Sequence, residues 1–294
     1  MNGKQSSLLR NVLMLNLSML CISTSGALGR YLTTPPILSI WWRAAFGLLF
    51  LGFYCYWKQF RFRFEWKKYG LVFFLSGLLM AVHWITYFYA LQWSNVAIAM
   101  LALFTFPIMT ALLEPLLLQT TFQKYHLLLS SLVLVGIGFL APDFQFQNTM
   151  TQGLLIGLFS AFVFALRNIL LKTQVQQFNG SILMFYNVLV TFILLLPALF
   201  YYQAVEIKSQ LPVFLFLGLI TTAIGHTLFI NSFKYFSVST ASIIGGMQPI
   251  YGIVIAVLFL QEMPTWNSWL GGAVILSTVV LESWRNHSLI SQKN

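Results

Sequence analysis

Two arginines, two histidines and one glutamate interrupt long apolar runs of this chain, and their chemistry sets the first question. Arg43 closes the run Leu38–Arg43 (LSIWWR). Its planar guanidinium fork matches a carboxylate bidentately, so it can capture an anionic group. It can equally bond helix-end carbonyls and extend its head toward a polar boundary; the residues leave both readings open. His83 and Tyr87 share a helical face at i and i+4, with Trp84 beside them. His226 stands in a second apolar run. An imidazole titrates near neutrality and can carry a proton, although a neutral imidazole hydrogen-bonded between helices is the commoner role. The two histidines are expected at mirrored depths, too far apart for one metal site, and no other His or Cys supplies the missing ligands.

Glu114 is the one acid well inside an apolar run, and Arg167 is expected at a similar depth. The pair suggests a gate; the alternative is an interfacial Glu in water. Gly245-Gly246 with Gln248-Pro249 allows close backbone approach and frees a carbonyl. Pro107 and Pro249, with Gly245 and Gly246, are candidate hinges. Trp42, Arg43, His83, Trp84, Tyr87, Asn187, His226, Asn231 and Gln248 are the candidate lining of a cavity. Cys21 and Cys55 lack metal spacing and read as buried free thiols. There is no P-loop, no Gly-x-Ser-x-Gly, no His-Glu-x-x-His and no acid-rich diphosphate site, so neither a cofactor nor enzymatic chemistry is expected.

The elements that must position these groups follow from composition. Hydrophobic residues make up 59% of the 294 and charged residues 7%, with a mean hydropathy of +0.80. A soluble domain carries about 25% charge, so the solvent here is a lipid bilayer. Ten spans are expected: Leu9–Tyr31, Leu38–Trp57, Tyr69–Leu91, Asn95–Leu118, Leu127–Ala141, Gln152–Lys172, Ser181–Tyr201, Leu211–Tyr235, Ser239–Leu260 and Trp269–Trp284. The fifth and tenth are short for a full crossing. Segments such as Gly70–Met80 are apolar all round rather than alternating, which disfavours a transmembrane β-barrel. The first run is too long for a signal peptide and reads as a retained helix.

The net charge of +10 is distributed by side. With a cytoplasmic N-terminus, the run Lys58–Lys68 (KQFRFRFEWKK) and nearly all other basic residues fall inside, and Lys208 is the lone basic residue in the outer loops. This is the positive-inside pattern, which puts both termini in the cytoplasm and lays that run against anionic headgroups. Nucleic acid is not an expected partner. Asp143, Glu206 and Glu262 all fall in loops or at rims.

The chain also repeats itself. Trp93–Pro107 (WSNVAIAMLALFTFP) aligns without gaps on Tyr235–Pro249 (YFSVSTASIIGGMQP), with a proline near mid-span in both. Gly77 and His83 fall within one position of Gly218 and His226, and Trp41-Trp42-Arg43 corresponds to Phe185-Tyr186-Asn187. Five spans per half reverse the second copy. The expected fold is an all-α integral membrane protein of about ten helices in two inverted five-helix repeats, residues 1–145 and 150–288, with a short cytoplasmic tail at 289–294. Inverted repeats with a midplane site between them are frequent among secondary transporters.

Three stretches carry a resemblance: Leu38–Arg43; Tyr87–Pro107, an aromatic helix end, tight turn and Pro-containing helix; and Phe233–Leu276, with Leu260-Gln261-Glu262 and Leu270-Gly271-Gly272-Ala273-Val274-Ile275-Leu276. In these the chain resembles EamA-type members of the drug/metabolite transporter superfamily. The resemblance implies export or exchange of a small metabolite (amino acid, organic acid or drug-like solute) across the inner, plasma membrane by alternating access, with protons as a potential coupling ion and a homodimer as an open state. One departure is Thr120, where the first repeat would often carry the counterpart of the Glu262 acid. Competing readings are an integral-membrane enzyme with a polar site near one face, and a sugar-phosphate or nucleotide-sugar exchanger. The sidedness is testable: cysteines introduced within Lys58–Lys68 should react with an impermeant thiol reagent only after permeabilisation, and labelling in intact cells would invert the topology.

Overall fold

A computed structural model describes residues 3–119, 122, 124–140, 145–202 and 207–291. Thr120, Ala141, Asp143, Glu206 and the last three residues of the tail lie outside the described residues. Those described form ten membrane-scale helices and no strand. They are α1 (Gly3–Tyr31), α2 (Pro36–Trp57), α3 (Trp66–Trp93), α4 (Val96–Leu118), α5 (Tyr125–Leu140), α6 (Thr149–Gln174), α7 (Gly180–Tyr201), α8 (Lys208–Ser232), α9 (Val238–Leu260) and α10 (Trp266–Ser291). Eight helices are long and apolar enough to cross a bilayer. The fifth is short as expected, at 16 residues, or about 24 Å against a hydrocarbon core of about 30 Å. The tenth is not short: it runs for 26 residues to Ser291, so Leu289–Ser291 of the expected tail are helical.

Local chemistry sets the ends. Asn95, Asn148 and Asn179 cap α4, α6 and α7, their side-chain oxygens accepting from Ile98, Met150 and Ser181 amides. Gln119 and Gln261 end α4 and α9 in the left-handed conformation, φ 53° and 55°. They coincide in the register that lays Trp93 on Tyr235. The same register lines up two prolines and, within one position, two breaks. α4 is interrupted at Phe104–Thr105 and α9 at Gly245–Gly246, because Pro107 and Pro249 remove an amide donor and crowd the preceding turn.

Side chains facing outward are those a hydrocarbon solvent accepts, among them Leu49, Phe53, Leu71, Leu116, Leu134 and Leu258. Exposed Tyr31, Trp93, Tyr201 and Trp266 ring one end of the bundle, and Tyr56, Trp57, Trp66 and Tyr235 the other, as interfacial aromatic belts do.

Packing is two-fold symmetric. α1 lies on α8 and α9, as α6 lies on α3 and α4; α2 packs on α7, and α5 on α10. The crossings α3–α7 and α8–α2 are also equivalent, and a glycine sits at each. A Cβ on Gly77 would lie 2.5 Å from Val190 Cβ, and one on Gly218 would lie 2.5 Å from Phe46 Cβ and 2.8 Å from the Gly47 amide. The halves differ in one respect. α3 is a regular helix, whereas α8 holds ten π-helical residues, Leu217–His226, flanked by α-helix.

Gly218→Ala should cost about 1–3 kcal/mol, because backbone rather than a flexible side chain must give way. Gly138→Ala, with nothing within 4 Å of the added atom, should be neutral or stabilising. Thermal unfolding of the detergent-purified protein distinguishes them; equal midpoints would refute the close-approach argument.

Candidate functional site

At the junction of the two repeats lies a small sealed chamber. Ile22 and Ser25 of α1, Arg43 of α2, His83, Trp84 and Tyr87 of α3 and Leu103 of α4 line it from the first repeat. Phe164 of α6, His226 of α8 and Gln248 of α9 complete it from the second. Its free volume is about 10 Å³, room for a single water. Arg43, Trp84 and His226 are each 1% exposed, so the chamber is closed to both faces. The breaks in α4 and α9 abut it through Leu103 and Gln248.

Arg43 reaches the chamber from α2 with one hydrogen bond, from Nε to Thr222 Oγ1 at 2.9 Å. Thr222 lies in the π-helical stretch of α8. The guanidinium carbon sits 4.0 Å from the Trp84 ring centroid and 5.9 Å from that of Phe88, a cation–π stacking of up to about 2 kcal/mol when desolvated. Nη2 has no partner. Two further chamber residues carry unpartnered polar atoms, Trp84 Nε1 and His226 Nδ1, and the Tyr87 hydroxyl has only Ser25 within reach.

His83 is fully engaged on one side. The Ser160 hydroxyl donates to the His83 carbonyl at 2.8 Å, and His83 Nδ1 lies 2.9 Å from the same oxygen. With the hydroxyl proton used, Nδ1 is the donor, which defines the tautomer. The imidazole stacks on Phe164 with centroids 4.3 Å apart.

Arg167 has the opposite character. Nε donates to Asn187 Oδ1 at 3.0 Å, Nη1 to Asn168 Oδ1 at 3.1 Å, and Nη2 to Met184 Sδ at 3.6 Å. Asn187 passes the network across the repeats, donating to Ser76 Oγ at 2.9 Å. Arg167 stands one ring behind the chamber, 6.0 Å from the Phe164 centroid. It forms no ion pair with Glu114, so the expected pairing is corrected. Depth along a helix was matched, but azimuth was not. Glu114 instead accepts from the amide and hydroxyl of Ser239 at the start of α9.

Six of the nine expected lining residues meet in the chamber: Arg43, His83, Trp84, Tyr87, His226 and Gln248. The histidines, expected in opposite halves, share it, with Trp84 5.5 Å from the His226 ring. Three residues go elsewhere. Trp42 stacks on Phe46 and Phe214. Asn187 serves Arg167. Asn231 accepts from the Gly180 amide at the start of α7 and edges a lateral apolar groove with Phe53 and Trp57. Sequence reasoning missed Ser25, Phe164, Ser160 and Thr222. Phe164 carried a signal, since it precedes Arg167 by one helical turn.

The faces are tied by mirrored polar groups. At one, Arg30 donates to the Leu91 and Gln92 carbonyls at 3.1 and 3.0 Å and pairs with Glu262 at 3.1 Å. Glu262 also accepts from the Val96 amide at 2.9 Å, capping α4. At the other, Lys172 donates to the Phe233 and Phe236 carbonyls, both at 2.7 Å, while Glu114 caps α9. The register of the repeat lays Arg30 on Lys172 and Leu91 on Phe233. It lays Glu262 on Thr120, but Glu114, six residues earlier, supplies the missing acid. Among the described residues no cluster of His, Cys, Asp or Glu could hold a metal.

Comparison with known proteins gives this geometry its context. A solved crystal structure superposes with a TM-score of 0.71 over 95% of this chain and 98% of its own, at 18% identity, a likeness of fold. An uncharacterized transporter of Archaeoglobus fulgidus is 27% identical over 200 residues, 68% of this chain and 71% of that protein. One of Synechocystis is 26% identical over 226 residues, 74% and 68% of the two chains. A Bacillus subtilis counterpart, YwfM, also an uncharacterized transporter, is 25% identical over 210 residues, 69% and 70%. The EamA-like transporter family matches residues 9–141 and again 151–284. With both halves matched, this all-α membrane chain belongs to the EamA-like transporter family.

Proposed function

We propose that the chain is a secondary transporter that exports or exchanges a small metabolite across the cytoplasmic membrane by alternating access, with both termini and the Lys58–Lys68 loop inside. The observation that supports this reading most is the pair of mirrored ties closing opposite faces over one polar chamber. Each tie joins the two repeats: Glu262, just beyond α9, to α4 and α1, and Glu114 of α4 to α9. Breaking one while keeping the other opens the chamber to one side only, which is the requirement for coupled exchange without leak.

The motion has natural pivots. Pro107 with the Phe104–Thr105 break and Pro249 with Gly245–Gly246 let the ends of α4 and α9 move against their inner halves. Glu114 serves as a gate with Ser239, while Arg167 stays a fixed charge behind the chamber wall. Coupling to protons would run through His83 and His226, the titratable side chains of the chamber.

Exchange by proteoliposomes of the purified protein tests the assignment, with amino acids, organic acids and phosphosugars, with and without a pH gradient. At least one class should exchange, and movement of none would remove the transporter reading. The ties are tested in a background of Cys21→Ser and Cys55→Ser carrying Ser25→Cys in the chamber. Glu262→Gln should raise labelling by an impermeant reagent severalfold from the Arg30 face, and Glu114→Gln from the Lys172 face. Each change weakens a partly exposed charged contact by about 1 kcal/mol. Unchanged labelling in both would mean that the ties do not gate.

A further inference from the structure

The chamber's chemistry selects a charge class, and this inference rests on the transporter reading above. Two guanidiniums bracket one small space: Arg43 in its wall and Arg167 behind Phe164. Among the described side chains neither touches a carboxylate: Glu65 lies in an exposed loop, and Glu114 and Glu262 are in the ties at the faces. A buried cation normally has an anion beside it, and leaving one unpaired in a low-dielectric interior is strongly unfavourable.

The unpartnered atoms around the chamber point the same way. Arg43 Nη2 and Trp84 Nε1 can only donate hydrogen bonds; Tyr87 Oη, beside Ser25, can donate one, and His226 Nδ1 donates one in the tautomer that protonates it. All belong to residues at most 2% exposed. Arg167 shows that this chain gives each nitrogen of a buried guanidinium a partner when its role is structural, through Asn187, Asn168 and Met184. At Arg43 it supplies Thr222 alone, and holds the head flat on Trp84 with Nη2 free. The unfilled capacity is for an acceptor carrying negative charge.

We propose that the transported solute is a small organic anion bearing a carboxylate and no cationic group, held by Arg43 Nη2 together with the Trp84, Tyr87 and His226 donors. A carboxylate presents two acceptor oxygens to this set and neutralises the local excess charge. An ammonium or other cation would meet the Arg43 guanidinium, with that of Arg167 behind Phe164, and no described carboxylate. Amines and cationic drugs are therefore excluded, and a zwitterionic amino acid is disfavoured at its ammonium end. The closed chamber has room for one water, so the solute occupies it in an opened state, where the remaining walls are apolar or aromatic: Ile22, Leu103, Phe164 and the ring of Trp84.

Matched probes of similar size isolate charge as the variable. Benzoate, benzamide and benzylammonium form one series; lactate, lactamide and L-alanine form another. Saturable binding to the detergent-purified full chain is read by thermal shift at fixed ionic strength with chloride as the control anion, and counterflow is read in proteoliposomes. At least one carboxylate should bind and exchange, its amide and amine counterparts should not, and Arg43→Gln should weaken it at least about tenfold, the loss expected for one charged hydrogen bond. Because Arg43→Gln itself removes a buried group, Tyr87→Phe supplies a variant that keeps the ring and loses a donor; it should weaken carboxylate binding severalfold without altering the unliganded melting point by a comparable measure.

The outcomes separate the two readings. If amines or amides exchange and carboxylates neither bind nor exchange, transport stands and the anion proposal falls. If a carboxylate binds through Arg43 but nothing exchanges, the site stands and transport falls. Carboxylate binding unaffected by both variants, a shift reproduced by chloride, or no binding and no exchange of any probe each overturns the anion proposal, leaving the chamber as a space for water only.

Discussion

A guanidinium inside a hydrocarbon-clad bundle must be answered by the protein, since no solvent nearby will do it. That constraint organises the interior. Arg167 recruits two asparagine oxygens and a thioether, and through Asn187 draws α3, α6 and α7 into one polar seam. Arg43 recruits Thr222 and the face of Trp84, fixing α2 against α8 and α3. Helices that would otherwise slide on apolar surfaces are given azimuth and height by these bonds, because hydrophobic burial alone does not choose a register among lipid-like neighbours. The small residues at the crossings, Gly77 and Gly218, bring the backbones close enough for the short side chains Ser76 and Thr222 to reach their partners.

Symmetry and its violation divide the labour. The prolines, the left-handed glutamines and the cation-carbonyl bonds recur in both halves at one register, and they sit at breaks and faces. Apart from the acid of the ties, which stands at Glu114 rather than at position 120, departures from symmetry concentrate at the chamber. Arg43 occupies the position that Asn187 fills in the other half, and the π-helical turns of α8 face a regular α3. A π stretch widens the helix and re-aims its side chains, a distortion found often at functional sites. Here it carries Thr222 and His226, one holding Arg43 and the other lining the chamber.

Much of this was legible before any coordinates. Composition demanded a bilayer, run lengths placed the spans, and the repeated Pro positions marked the breaks. Rarity of charge in apolar runs singled out Arg43 and Arg167, and the i, i+4 spacing joined His83 to Tyr87. What stayed hidden was azimuth across helices. Neighbouring positions on a helix point about 100° apart, so Trp42 faces away although Arg43 enters the chamber. Depth alone suggested Glu114 with Arg167, but Glu114 turns to Ser239. Asn231 lies on the α8 face that meets Gly180 rather than the chamber. The π stretch left no mark in composition, and without it the partnership of Arg43 with Thr222 had no visible basis.

The helices α4 and α9 are counterparts in sequence but not in surroundings. Protein encloses 83% of the apolar window of α4 and 35% of that of α9. Moving α9 displaces acyl chains, which flow; moving α4 displaces packed side chains, which do not. The bundle therefore has a stiff axle and a compliant flank. The lateral pressure and thickness of the surrounding membrane bear more on the flank than on the axle, so lipid composition weighs unequally on two helices that the sequence makes counterparts.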